Sequence, residues 1–324
     1  MIDVSVVVPT YNRRAVLQRT LSRLLEQTHE DARYEIVVVD DQSTDDTWEW
    51  LEQTQEQHAR VVTVRNRKKG RGQARNAGIA AARGEIVCFV DDDVWVTPGF
   101  VAAHWQAHEQ WGGAAVVIGK LEACAETAKT IANEYDDGRL MRVEQRLAAA
   151  GERIDAGLFR TGNVSVRKSF LAEVGGFDEN FQAYSYEDSE LGYRLMANGG
   201  MFRYAPEAAG THYTEIAIPQ ILRKKAEAGQ SAVTFLRRWP KAVDRVPAPF
   251  PIPGVETTLR HEGLARRVAK IMLLSRVAGW GMTGVLRLGT MLRCRKMCFW
   301  ALEWLGWRHY TRAFREAAGQ SQSC

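Results

Sequence analysis

Residues 87–94 read V-C-F-V-D-D-D-V, an apolar run of strand type that meets three consecutive carboxylates. Apolar residues of this kind favour burial in a sheet, and carboxylates cannot follow them into a core without a partner. The chain must therefore leave the core at Asp91, Asp92 and Asp93, where something positive has to hold three mutually repelling charges. A divalent cation bridging to phosphate oxygens is one solution, and a solvated acidic turn is the other. Two further stretches bear on the choice. Residues 34–39 run into Asp40-Asp41-Gln42-Ser43-Thr44-Asp45-Asp46, and residues 61–64 run into a basic glycine loop, Asn66-Arg67-Lys68-Lys69-Gly70-Arg71-Gly72. A carboxylate after the earlier strand fits ribose or base recognition, and the later cluster fits a metal holding a diphosphate.

Positioning these groups requires strands at residues 4–8, 34–39, 61–64 and 87–90, the first a compact β-branched run. Helices are predicted between them. The first has Asn12 as N-cap and Val16, Leu17, Leu21, Leu24 and Leu25 on one face. The second is capped by Ser43 or Thr44 and carries Trp48 and Leu51, and the third is Ala-rich over 73–82. This alternation predicts an α/β fold with a doubly wound, mostly parallel sheet and helices on both faces. Ligands of such sheets bind beyond the carboxyl ends of the strands, which brings Pro9-Thr10-Tyr11, Asp40-Asp41, the basic loop and the acidic cluster to one crevice. Gly70-Arg71-Gly72 lacks the third glycine of a dinucleotide fingerprint and is not the phosphate-loop pattern, which disfavours dehydrogenases and P-loop NTPases. Further on, a helix is expected from Pro98, a strand over 114–118, mixed helix over 122–150 and a short strand ending at Arg167. A turn at Gly175-Gly176, a helix with Leu191, Leu195 and Met196 inward, and a last strand over 201–204 before Pro206 and His212 complete this region.

The 324 residues suffice for one large or two modest domains, and 45% hydrophobic with 25% charged residues is ordinary for a globular protein. The net charge of +4 is unevenly spread: from Val255 onward 12 Lys and Arg face 4 Asp and Glu. Such a balance does not by itself imply nucleic acid. The five cysteines form no C-x-x-C pair, and nothing around Cys294 and Cys298 completes a zinc set, so reduced thiols are expected. The chain enters a strand within four residues, which argues against a signal peptide, and no uncharged apolar run approaches the ~18 residues of a membrane span.

Six motifs stand in order: V-S-V-V-V-P-T-Y-N-R from Val4, V-V-V-D-D-Q-S-T-D-D-T from Val37, G-Q-A-R-N-A-G from Gly72, F-V-D-D-D from Phe89, G-G-F-D-E from Gly175 and E-D-S-E-L-G-Y-R from Glu187. Together they resemble a family 2 glycosyltransferase, inverting and of the GT-A fold, over about residues 4–213. The resemblance implies a nucleotide-sugar donor. Pro9, Thr10 and Tyr11 would line the base pocket and Asp41 would hydrogen-bond the base. Arg75, with Arg71 as second candidate, would reach the nucleotide or diphosphate. Asp91 and Asp93 match the D-x-D pair that grips ribose, diphosphate and Mg²⁺ or Mn²⁺, which leaves Asp92 without a role. Asp188 matches the catalytic base, with Glu187 as its rival; the reaction needs a carboxylate to take the acceptor hydroxyl's proton while the diphosphate leaves. His212 matches an extra metal ligand of some relatives. Asn163 and Gly176 are expected at the acceptor or sugar pocket, and Trp95 either stacks on sugar or packs.

The division expected is a catalytic domain over 1–215, a helical connector over 216–246, a Pro-rich linker over 247–254 and a basic amphipathic helical tail over 255–324. Trp280, Trp300, Trp304 and Trp307 sit among Arg276, Arg287, Arg293, Arg295 and Lys296, a pattern suited to an anionic membrane surface; the alternative is packing on the core or a second subunit. The expected protein is a metal-dependent transferase, cytoplasmic and peripheral at the inner face of the membrane, acting on a lipid-linked, glycan or cell-surface hydroxyl. No nucleic-acid partner is expected. A nucleotidyltransferase is disfavoured because Pro9-Thr10-Tyr11-Asn12-Arg13 is not the Gly-rich loop that class places after its first strand. A nucleotide-sugar-binding scaffold without turnover is the rival of another kind.

Overall fold

The computed structural model describes residues 2–28, 33–152, 154–244, 246, 249, 252 and 275–319. The chain forms two compact units: one of residues 1–127, 137–180 and 187–214, the other of residues 128–136, 181–186 and 215–324. The expected Pro-rich linker lies outside the described residues except at Pro249 and Ile252, and so do tail residues 255–274.

The first unit is built on an eight-stranded sheet. In chain order its strands are β1 (Val4–Thr10), β2 (Tyr34–Asp40), β3 (Val61–Arg65), β4 (Ile86–Val90), β5 (Val94–Val96), β6 (Ala115–Ala123), β7 (Asn163–Arg167) and β8 (Met201–His212). They lie in the order β3-β2-β1-β4-β7-β6-β8-β5. The first four pair in parallel, β7 runs antiparallel to both β4 and β6, β8 is parallel to β6, and β5 is antiparallel to β8. The β-branched runs were legible because these strands are covered on both sides. Val7, Val37, Val39 and Phe89 face one core with Ala74, Leu171, Leu191 and Leu195, while Val6, Val8, Ile36, Val38 and Cys88 face the other with Leu17, Leu21, Leu51 and Phe100. The helices that supply these contacts are α1 (Arg14–Leu25), α2 (Thr47–Gln57), α3 (Arg71–Ala81), α4 (Phe100–Trp111), α6 (Lys168–Val174) and α7 (Glu187–Ala197); α5 (Ile131–Ala149) precedes α6. The strand order reverses between β1 and β4, which sets a crevice beyond Thr10 and Val90.

Several local expectations give way. Asn12 does not cap α1, whose cap position is Arg13. Asn12 sits at φ +52°, its amide bonds Thr44 Oγ1 at 3.0 Å and accepts from Thr44 N at 2.7 Å, and its own N–H donates to Ser43 Oγ at 2.9 Å. The capping candidates of two helices thus clasp each other, and α2 starts only at Thr47. β8 continues through Pro206 to His212, because residues 206–208 bulge out between the Gly119–Ala205 and Lys120–Ala209 pairs. β5 was not foreseen. Its Trp95 stacks on Tyr213, with ring centroids 5.0 Å apart, and carries the Arg19 guanidinium at 4.7 Å, so it packs and is buried.

A buried polar cluster joins α4 to β7. His104 bonds Ser165 Oγ through Nδ1 and Asn163 Oδ1 through Nε2, both at 2.8 Å, and His108 Nε2 lies 2.9 Å from Ser165 Oγ. Burial pushes His104 down to about 4 and His108 down to about 3. Both rings are neutral in the fold, whereas the unfolded chain protonates them below about pH 6.5. Stability is therefore full above that pH and is lost as pH falls toward 4, by on the order of 3 kcal/mol for His104 alone. Urea midpoints near neutrality and near pH 5 check this, and His104→Gln is expected to show the smaller acid loss.

The second unit holds α8 (Ile218–Arg238), α9 (Arg276–Met291) and α10 (Arg295–Gly319). Leu286, Cys298, Ala301, Leu302 and Leu305 form its core with Ile221, Ala132 and Tyr135. Among the described residues no helix is long and apolar enough to cross a membrane.

Candidate active site

Five strand ends, α3 and the start of α7 supply the chemistry. The chain leaves β4 at Asp91, Asp92 and Asp93, as an apolar run ending in carboxylates must. Asp92 points inward. It accepts from Thr10 Oγ1 at 2.8 Å and from Arg13 Nη1 at 2.6 Å, and its backbone carbonyl accepts from Thr20 Oγ1 at 2.7 Å. Burial, more than the neighbouring Asp93 charge, pushes it up to about 7 against the pull of Arg13. The unexplained middle carboxylate is thus the strut that ties the acidic turn to β1 and α1. Arg13 also reaches Asp93 at 2.9 Å.

Thr10 is a correction. Expected in a base pocket, it is buried and its hydroxyl is spent on Asp92. Pro9 lies half-buried at the end of β1, and Tyr11 beyond it is exposed, with Lys69 Nζ 3.6 Å from its ring centroid. Asp41 accepts from Asn66 Nδ2 at 2.7 Å and from Gly70 N at 3.0 Å. Gly70 has φ +149°, and a Cβ there would collide with the Gln73 side chain. The basic loop is therefore fastened to the carboxylate after β2. Arg71 opens α3, so the loop's last residues are already helical.

Arg75, also on α3, is the hub. It is buried, and its guanidinium lies 3.4 Å from Asp91 Oδ1, 3.5 Å from Glu187 Oε1 and 3.9 Å from Asp188 Oδ1. Three motifs far apart in sequence thereby share one cation. Burial raises Asp91, with Arg75 opposing and Asp93 and Asp188 adding to the rise. Glu187 is 4% exposed and is pushed up to about 7, first by burial, then by Asp188, against Arg75. Asp188, whose side chain is 25% exposed, accepts from Thr161 N at 3.3 Å and from Thr161 Oγ1 at 3.1 Å. A carboxylate held by a neutral hydroxyl and a backbone amide, yet still open to solvent, is equipped to take a proton.

His212, the last residue of β8, sets Nε2 3.4 Å from Asp93 Oδ1, and its Nδ1 bonds Thr214 Oγ1 at 3.0 Å. Among the described residues no group of three His, Cys, Asp or Glu side chains converges as a metal-binding set. One oxygen and one orientated imidazole nitrogen at this spacing still match adjacent ligands of a small divalent ion that takes its other ligands from phosphate and water.

Asn163 and Gly176 do not behave as expected for a substrate pocket. Asn163 is 2% exposed, and its amide is used up on His104, Lys120 O and Ala208 O. Gly176 sits at φ +66° against Asn76, whose amide accepts from Phe177 N and donates to Phe177 O, so it is part of a structural turn. Sequence reasoning missed Arg13 and Thr161. Arg13 ends a quoted motif, but its partners lie about eighty positions on; Thr161 carried no signal of its own.

A sequence model of Glycosyl transferase family 2 matches residues 5–175. The chain belongs to glycosyl transferase family 2. A second model, the N-terminal domain of galactosyltransferase, matches residues 142–217 of this family 2 chain. It is 33% identical over 218 residues to validoxylamine A glucosyltransferase of Streptomyces hygroscopicus subsp. limoneus, covering 60% of this chain and 48% of that one. The chain thus spans about half the length of that relative. It is 35% identical over 96 residues to the UDP-Glc:alpha-D-GlcNAc-diphosphoundecaprenol beta-1,3-glucosyltransferase WfaP of Escherichia coli, covering 29% of this chain and 37% of that one. Among solved structures, the mannosyltransferase PcManGT of Pyrobaculum calidifontis, in complex with GDP-Man and Mn²⁺, superposes with a TM-score of 0.59 at 19% identity, over 94% of this chain and 86% of that one. The sheet of this family 2 chain is thus of the GT-A type, followed by a helical C-terminal extension.

Proposed function

We propose that this family 2 protein moves a sugar, with inversion, from a nucleoside-diphosphate donor to the hydroxyl of a lipid-linked, glycan or cell-surface acceptor. The observation that carries the reading is the Arg75 hub, which joins the acidic turn after β4 to the Glu187-Asp188 pair. Asp188 is the base: it is the more exposed of the two carboxylates, and Thr161 fixes its orientation. Glu187, buried against Arg75, is a positioning residue that keeps the guanidinium between the motifs. Asp41 and Tyr11 receive the base and Lys69 and Arg71 face the diphosphate, while Pro9 and Thr10 shape the strand end behind them. Asp93, His212 and Asp91 would hold Mg²⁺ or Mn²⁺, which when bound would supply positive charge against the leaving phosphate. The Mn²⁺ of the mannosyltransferase complex and the diphosphoundecaprenol-linked acceptor named for the Escherichia coli relative support the metal and the lipid-linked class. This reading puts the enzyme at the cytoplasmic side of the cell membrane.

Thermal unfolding across a panel of nucleoside-diphosphate sugars, with and without Mn²⁺, tests the proposal. One base class is expected to raise the melting temperature by several degrees, since a ligand at a hundredfold excess over Kd adds about 3 kcal/mol. The rise should need Mn²⁺ and shrink in Asp93→Asn. Donor binding without transfer to any acceptor would favour a scaffold, and no shift with any donor would overturn the reading.

A further inference from the structure

α9 is apolar nearly all the way round, and only one side of it is packed. Gly279, Leu286 and Gly289 are buried, and a Cβ at Gly279 or Gly289 would meet Arg308 or Cys298 of α10 at 2.7 and 2.9 Å. These glycines let one side of α9 lie close against α10. The other side carries Val277, Trp280, Leu288 and Met291, spaced by whole turns of helix. Val277 is 78% exposed, Trp280 79% and Met291 75%, and Leu292 just beyond is exposed as well. A helix face that meets only water is normally polar, so a continuous strip of this kind marks a surface with a partner.

The charges around the strip identify that partner. Arg276, Arg287, Arg293, Arg295 and Lys296 are all exposed, and the sequence has no acidic residue between Glu262 and Glu303. Of these cations Arg295 is paired, with Glu134 at 2.8 Å. A second copy of this chain seated on the strip would bring the same cations against these, and like charges across an interface are costly. An apolar strip with Trp and Met, flanked on one side by Arg276 and Arg287 and followed by Arg293, Arg295 and Lys296, is complementary to the interface of an anionic bilayer, where side chains enter the acyl boundary and the guanidinium groups meet phosphate. α9 has 16 residues and lies on α10, so it rests in the interface plane and does not cross it.

The geometry points to the strip Val277, Trp280, Leu288 and Met291 of α9 as a docking face for an anionic lipid surface. The proposal does not depend on sugar transfer, and its test uses neither donor nor acceptor. The full chain is floated with vesicles of phosphatidylcholine alone and of phosphatidylcholine with phosphatidylglycerol in equal parts. It is expected to float with the anionic vesicles only. Trp280→Ser/Leu288→Ser/Met291→Ser is expected to lower the partition coefficient at least about tenfold with its circular dichroism melt retained, and Arg287→Glu/Lys296→Glu to weaken it as well. The exposed thiol Cys294 gives a second readout that does not depend on those variants. In a Cys324→Ser chain, a polarity-sensitive dye on Cys294 is expected to shift to the blue on anionic vesicles and not on neutral ones. The proposal is overturned if the wild-type chain does not float, or if the triple variant floats as well as the wild type. It is equally overturned if the strip drives self-association in place of flotation, or if the dye is already shielded without vesicles because residues 255–274 cover the strip.

Discussion

Asp188→Asn is expected to lower kcat about a hundred- to ten-thousandfold, the usual contribution of a positioned general base, while donor-induced thermal stabilisation is retained. Asparagine has the same shape and still accepts the Thr161 hydroxyl bond, so the α7 start should keep its place. What disappears is the group able to take the acceptor's proton. The charge change has a second signature. Asp188 is one of the causes that hold Glu187 near 7, so Glu187 should ionise at lower pH in the variant. Turnover unchanged by Asp188→Asn and abolished by Glu187→Gln would transfer the base role to Glu187.

The largest effect on stability is expected from Arg75→Met. Removing this cation leaves Asp91, Glu187 and Asp188 facing one another without compensation, and breaking a buried ion network on one side costs about 3–5 kcal/mol. The loss should depend on pH in a fixed sense. Burial already makes Asp91 and Glu187 bind protons more tightly than in the unfolded chain, where Asp and Glu titrate near 4, and losing the opposing Arg75 charge strengthens that. The variant's deficit is therefore greatest near neutrality and shrinks as pH falls toward 5. Urea midpoints of wild type and variant at both pH values check it. Arg75→Lys should recover only part, because a point charge cannot serve three carboxylates that a planar guanidinium spans. A loss under about 1 kcal/mol would mean that the network is already relieved by water.

What could be read from the sequence follows from how local each signal is. β1, β2 and β4 are buried on both faces and the edge strand β3 in part, so their composition alone marks them, and the alternation with helices fixes the parallel half of the sheet. β5 could not be read, since three residues behind an acidic turn become a strand only because β8 runs beside them. β8 itself looked finished at Tyr204, because the bulge that accommodates Pro206 is a property of the β6 pairing. In the site, Asp91, Asp93, Asp188 and His212 were singled out through their motifs. Asp92 stayed unexplained because its reason for existing is Arg13 and Thr10, and the burial of Asn163 was not legible because His104, which claims its amide oxygen, lies on α4 some sixty positions earlier.

The fastening of Asp41 to Asn66 and Gly70 has a consequence for how such a protein diverges. The carboxylate after β2 and the loop after β3 are encoded about twenty-five positions apart, yet neither can drift alone. A replacement of Asp41 that cannot accept, such as Asp41→Ala, strands the Asn66 and Gly70 donors, and a side chain at position 70 must both hold φ +149° and push the Gln73 side chain aside. The two stretches form one heritable unit, and lineages that change either are expected to change both together.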